Sequence, residues 1–211
     1  MAQETTAKVE RVELRTDSII LEGLDPGMMH ARMAPEQIDV VERKLKTKFS
    51  VEQLLEFSLH RLRPLRNDCE YGFPAQALRL CMGNAFRTTQ FKGKAEVFGI
   101  VTPLPDGPDG LIAMEVPDKE YDTPLGPQLW AVCDRKTINR NAKNAPVRAV
   151  NPVFPKWRAK VEFRYQVGKI TPTELVNLLE QVGSSVGIGG WRIEKGGMYG
   201  GFRVLGDAPK E

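Results

Sequence analysis

Only three cysteines, Cys69, Cys81 and Cys133, occur in 211 residues, an odd and widely spaced set. That spacing suits neither a disulfide framework nor a zinc site, and a reducing cytoplasm is the expected compartment. No run of eighteen apolar residues is present, so a soluble chain without a membrane partner is expected, and Met1 to Lys8 lack the apolar stretch of a secretory leader. No GxxxxGK[ST] phosphate loop occurs. Gly187, Gly189 and Arg192 do not complete a dinucleotide fingerprint, because these glycines follow a helical pattern where that motif needs them to follow a strand and open a helix. No cofactor and no metal is expected.

Candidates for catalysis are equally sparse. The densest acidic stretch, Asp106, Asp109, Glu115, Asp118, Glu120 and Asp122, lies among turn formers without metal-ligand spacing and reads as a solvated surface. There are two histidines. His30 follows Met28 and Met29 and reads as a packed side chain rather than a general base or RNA contact, and His60 falls in an expected helix.

What is present is an uneven distribution of charge. Residues 134–211 carry 14 Lys and Arg against 7 Asp and Glu, whereas residues 1–133 carry 16 against 20. The positive half therefore suits a polyanionic partner. Within it, Trp157, Ala159, Val161, Phe163, Tyr165 and Val167 alternate with Arg158, Lys160, Glu162, Arg164 and Gln166, which predicts a strand with one buried face and one basic, wet face. Thr171, Pro172 and Glu174 then form a capping box for a helix whose buried stripe is Leu175, Val176, Leu178, Leu179 and Val182, with Gly183 expected to end it at positive φ.

A glycine-rich loop follows, holding Gly187, Gly189, Gly190, Gly196, Gly197, Gly200 and Gly201 before Phe202, Val204 and Leu205 resume a strand. Two roles are open to it. Its amides can face phosphates while Trp191 and Tyr199 stack on bases and Arg192, Lys195 and Arg203 neutralise charge. Alternatively, Trp191 plugs the core and the charges only solvate the loop. Upstream, Asp134 to Val150 read as a polar, basic loop in which Arg135, Lys136, Arg140, Lys143 and Arg148 have suitable chemistry for phosphate contact.

The rest of the chain supplies scaffold. One or two strands are expected before Gly23, around Val9 to Leu14 and Ile19 to Leu21. Residues 35–66 read as a helical insertion, with helices over 35–48 and 50–62. A helix begins at Pro74 with Ala77, Leu78, Cys81, Met82 and Ala85 buried. Ala95 to Val101 and Leu111 to Val116 are expected to form a hairpin, and Leu129 to Cys133 a further strand.

The pattern from Trp157 to Leu205, with VGIGGWRIEKGGMYGGFRV between helix and final strand, resembles the C-terminal half of the RAMP superfamily, which includes backbone subunits of CRISPR effector complexes. More of the chain is similar to phage and mobile-element proteins with an N-terminal strand and Met-His segment, a GFPAQALR-like helix start and a GIGxWRxEKGGxxGxFRV-like ending. The resemblance implies a single α+β domain over 1–211, ferredoxin-like (RRM-like), with an antiparallel sheet, helices on one face and a helical or hairpin insertion. It implies RNA binding at Gly187, Gly189, Gly196, Gly197, Gly200 and Gly201. Some RAMP relatives cleave RNA with a histidine; His30 is the candidate here, and nothing in the sequence sets a second acid or base beside it. The expectation is a non-enzymatic protein that binds single-stranded RNA or DNA through the basic segment, Arg158, Lys160, Arg164 and the loop residues Trp191, Arg192, Lys195 and Tyr199. It is expected to act as a homo-oligomer or as a subunit of a ribonucleoprotein complex. A phage or mobile-element assembly protein acting through protein contacts is the alternative.

Overall fold

The computed structural model describes residues 12–32, 35–62, 69–88, 91–139 and 145–206. Along the chain come strands β1 (Leu14–Gly23) and β2 (Met28–Met29), helices α1 (Pro35–Leu45) and α2 (Val51–Ser58), strand β3 (Tyr71–Pro74) and helices α3 (Ala75–Asn84) and α4 (Lys94–Ile100). Strands β4 (Val101–Leu104), β5 (Leu111–Met114), β6 (Ala131–Asn139), β7 (Ala145–Phe154) and β8 (Arg158–Gln166) follow, then helix α5 (Pro172–Gln181) and strand β9 (Phe202–Leu205). The class is α+β, and the strand pairings within the three sheets are antiparallel.

The largest sheet runs in the order β4-β8-β1-β9. Helices α3 and α4 lie in the chain between β1 and β4, and α5 lies between β8 and β9. The alternation in β8 is realised residue by residue: Ala159, Val161, Phe163 and Tyr165 are buried, while Arg158, Lys160, Glu162 and Arg164 are exposed. The buried face joins Leu78 and Met82 of α3 and Leu175, Leu178 and Leu179 of α5 in one core. Each such side chain contributes about 1.5–3 kcal/mol on burial. Val167, expected to continue the buried face, lies beyond the strand and is exposed.

Helix α5 starts as its sequence dictates. Thr171 Oγ1 accepts from the Glu174 amide at 3.2 Å, and Glu174 Oε2 accepts from the Thr171 amide at 2.8 Å, a reciprocal cap worth about 1 kcal/mol. Its end differs from expectation. The helix runs past Gly183 through a wider π turn, Val182–Val186, and stops at Gly187, whose φ is +72° and whose amide donates to the Val182 carbonyl at 2.8 Å. Gly183 serves packing instead: a Cβ there would fall inside contact distance of the Phe202 carbonyl.

Three other segments depart from expectation. Helix α2 ends at Ser58, and His60 lies in an extended stretch beside β3, where its carbonyl accepts from Gly72 at 3.1 Å. The insertion is thus helical to Ser58 and extended to Leu62; residues 63–66 lie outside the described residues. Ala95 to Ile100 is helical, its start pinned by the Lys92 amide donating to Glu96 Oε2 at 2.6 Å, and a short apolar run of this kind does not distinguish strand from helix by periodicity. The expected hairpin is therefore absent: β4 pairs with β8 and β5 with β3. Residues 134–150, expected as a basic loop, are largely the β6–β7 ribbon, in register from Ala131↔Val153 to Asn139↔Ala145. Both faces of that ribbon carry polar side chains, which hides the alternation that marks a half-buried strand.

Strand β2 is two residues long, yet two distant segments meet on it. Met28 and Met29, both buried, pair with Phe154 and Val153 of β7 on one side. On the other, the Met29 carbonyl accepts from the Gly190 amide at 2.9 Å. The ribbon and the glycine loop are thus stitched to the same two residues. Asn151 Nδ2, donating to Ser58 Oγ at 3.2 Å, ties the ribbon to α2. Among the described residues no helix is long and apolar enough to cross a membrane.

Candidate nucleic-acid interface

The β6–β7 ribbon and the glycine loop meet side chain to side chain. The Arg135 guanidinium lies over the Trp191 indole, 4.4 Å from the ring centroid, and the Tyr199 ring lies 5.8 Å from Trp191 at 41°. The Tyr199 hydroxyl is pushed above its ordinary pKa by burial and by its hydrogen bond to Cys133 of β6. Trp191 is half-buried at φ +44°, a left-handed conformation that a bulky residue adopts at a cost, and the Tyr199 amide donates to its carbonyl at 3.3 Å. The indole therefore neither plugs the core nor floats free; it forms a fixed aromatic shelf between two basic segments.

The glycines serve the chain before any ligand. The amides of Gly187, Gly190, Gly196, Gly197 and Gly200 donate to the carbonyls of Val182, Met29, Ile193, Arg192 and Gly27. Gly200, at φ +82°, sits so close to Ile188 that a Cβ would overlap its backbone. Gly189 packs in the same way against Met29. These amides are largely spent on holding the loop's shape, so the groups it turns outward are side chains.

The cations divide into two groups. Near the aromatic shelf, Arg192 donates to Glu194 Oε2 at 2.8 and 3.1 Å, and Asn84 of α3 donates to the same oxygen at 3.0 Å, which anchors the loop to α3. Lys195 and Lys136 are exposed and enter no ion pair among the described residues. Arg148 is bound by Asp134, whose carboxyl is held below its ordinary value by that partner. Arg140 and Lys143 lie outside the described residues.

Arg158, Lys160 and Arg164 form the second group, on the face of the four-stranded sheet turned away from α3 and α5. Glu22 binds Arg158 and Arg203 together, and those hydrogen bonds hold its carboxyl below the usual range. Lys160 stands opposite Ile20, and Glu162 lies between Lys160 and Arg164. This face has aliphatic and mixed-charge character, with its aromatic residues, Phe163 and Tyr165, on the buried side.

His30 is buried as expected, but His60 lies beside it, with ring centroids 5.7 Å apart. The sequence placed His60 in a helix, which hid this pairing. Burial, then the nearby His60, pushes the His30 imidazole down to about 3. His60 is also lowered, by burial and then by Arg32. A base of such low pKa accepts protons poorly near neutrality. The Cys81 thiol is pushed up to about 11 by burial, which keeps it protonated and unreactive. Among the described residues no group of three or more His, Cys, Asp and Glu side chains is placed to hold a metal ion.

The His30 shift makes stability depend on pH. The unfolded chain takes up this proton below about pH 6.5, whereas the folded chain resists it down to about 3, so the contribution is intact above 6.5 and lost as pH falls. The expected loss is roughly 1.4 kcal/mol per pH unit below about pH 6.5. Thermal melts from about pH 7 to about pH 5 should show it. His30→Phe should reduce that slope and leave the part that the lowered His60 contributes, and an unchanged slope would place the proton uptake elsewhere.

No protein-family model matches the chain, and no curated protein matches it.

Proposed function

We propose that this chain is a non-enzymatic, RAMP-type, ferredoxin-like protein that binds single-stranded nucleic acid, RNA in preference to DNA, along the junction of the β6–β7 ribbon and the glycine loop. The fold part of the reading is supported by the sheet order β4-β8-β1-β9, with helical segments between β1 and β4 in the chain and α5 between β8 and β9. In this reading β1, β4, β8 and β9 are the strands of a βαββαβ unit, with the segments β2–β3 and β5–β7 as additions. The binding part rests on one observation above all: Arg135 stacked on Trp191 beside Tyr199, a cation and aromatic shelf, with Lys195 exposed on the same loop and Lys136 exposed on the opposite face of the same ribbon. Successive bases stack on such surfaces while cations track the backbone. The protein is cytoplasmic in this reading and assembles along the strand or within a ribonucleoprotein complex. The sheet face with Arg158, Lys160 and Arg164 plays a secondary part, because its cations are interleaved with Glu22 and Glu162.

The test is fluorescence anisotropy of labelled single-stranded RNA and DNA across a salt series, with a Lys136→Ala, Lys195→Ala double variant. Affinity should fall linearly on a log-log plot, and the double variant should reduce the slope by about 1.4, roughly 0.7 for each phosphate contact to a single strand. Absence of binding by folded protein at low salt would sink the reading. A protein-assembly role is favoured by one specific feature, Met198, which stands 58% exposed on the same loop. Salt-insensitive self-association without nucleic acid is the result that role predicts.

A further inference from the structure

A pocket of about 280 Å³ lies behind the glycine loop, between the segment after β2 and helix α3. Leu80 and Ile188 contribute apolar wall, His30 and His60 contribute imidazoles, and Arg32 and Arg192 contribute guanidiniums. The volume is just below that of drug-sized ligand sites and suits a single ring system. His30 is 3% exposed, and both of its ring nitrogens are closed to solvent and lack a hydrogen-bond partner among the described residues, so a ligand in the pocket meets them by turning the imidazole toward it. A buried polar group in that state calls for an explanation, and a ligand that completes its hydrogen bonds supplies one.

The chemistry of that ligand follows from what faces it. A neutral imidazole offers one donor and one acceptor, which matches the edge of a nucleobase carrying both. The apolar walls suit the faces of a planar ring. Arg192 is already bound by Glu194, so Arg32, exposed beside His60, is the guanidinium left for a phosphate. Gly189 and Arg192 belong both to this pocket and to the loop that carries Trp191, so pocket and shelf are built on one short segment of chain. Two imidazoles without a third ligating group do not make a metal site among the described residues.

We infer that the pocket takes one unstacked nucleobase of a bound single strand, its edge hydrogen-bonded to His30, its ring between Leu80 and Ile188, and its adjoining phosphate met by Arg32. The inference rests on the strand-binding reading above and adds a point of base selection to it. Proteins that read single strands commonly splay a base out and hydrogen-bond its edge.

With only two histidines in the chain, their ring nitrogens give two separable sets of signals in nitrogen-15 NMR. Titration with single-stranded RNA oligomers of mixed sequence should shift the His30 set. Leu80→Trp places a large ring at the mouth from a position that is 48% exposed, so the fold is preserved. That variant should abolish the His30 shift and weaken RNA binding roughly tenfold, the loss of one base contact. RNA binding with unmoved His30 signals, or Leu80→Trp binding as tightly as the parent, overturns the pocket and leaves the shelf standing. No salt-dependent binding of any strand removes the shelf and the pocket together.

Discussion

Gly183→Ala is expected to lower stability by about 3 kcal/mol and the melting temperature by roughly 6–12 °C. A Cβ at this position would lie inside contact distance of the Phe202 carbonyl oxygen and 2.8 Å from the carbonyl carbon. Neither side can give way easily. Gly183 belongs to the π turn that extends α5, and Phe202 opens β9, is 1% exposed, and pairs with Gly23 of β1. Glu180 of α5 also accepts from the Val204 amide at 2.6 Å, which fixes strand to helix. Relief would require β9 to move off α5, and the glycine loop between them would move with it. Calorimetry of the parent and variant measures the effect directly. A change below about 1 kcal/mol, the range of an ordinary surface substitution, would show that the helix and strand are not packed this closely.

Trp191→Ala should raise the dissociation constant for single-stranded RNA roughly tenfold to a hundredfold, the loss of stacking worth ~1–3 kcal/mol per base. The same change removes the ring that orders the Arg135 guanidinium, so a phosphate contact weakens too. Stability should change less than affinity, because Trp191 lies at the surface of the loop and outside the main core cluster. Trp191→Phe retains an aromatic face and should recover most of the binding. Anisotropy titrations of the three proteins at one salt concentration separate the cases. Equal affinity for Trp191→Ala and the parent would remove stacking from the account.

Much of the scaffold was legible because its signals are local. The alternation in β8 and the Thr171–Glu174 capping box each involve residues within a few positions of one another, and both are present as read. The start of α3 beyond Pro74 belongs to the same kind. The misreadings share a different cause. Gly183 and Gly187 both look like helix terminators in sequence, and only the approach of Phe202 assigns one of them to packing. Residues 134–139 and 145–150 form a ribbon exposed enough that no hydrophobic period marks it.

The site was legible in composition and not in geometry. The residue types of the shelf were identifiable, since cationic and aromatic residues crowd one stretch. That Arg135 rests on Trp191 depends on Met28 and Met29 pairing with β7 on one side and meeting Gly190 on the other, contacts spanning more than a hundred residues of sequence. The expectation that glycine amides face a ligand gave way for the same reason, because their acceptors lie within the chain at Gly27, Met29 and Val182. His60 came beside His30 only once α2 ended at Ser58.

The most direct test of the central claim is ultraviolet cross-linking of single-stranded RNA to the protein, followed by mass spectrometry of the linked peptides. The account predicts adducts at Trp191 and Tyr199, with Lys136 and Lys195 in the linked peptides. Adducts confined to the sheet face around Arg158, Lys160 and Arg164, with the ribbon and glycine loop unmodified, would contradict it.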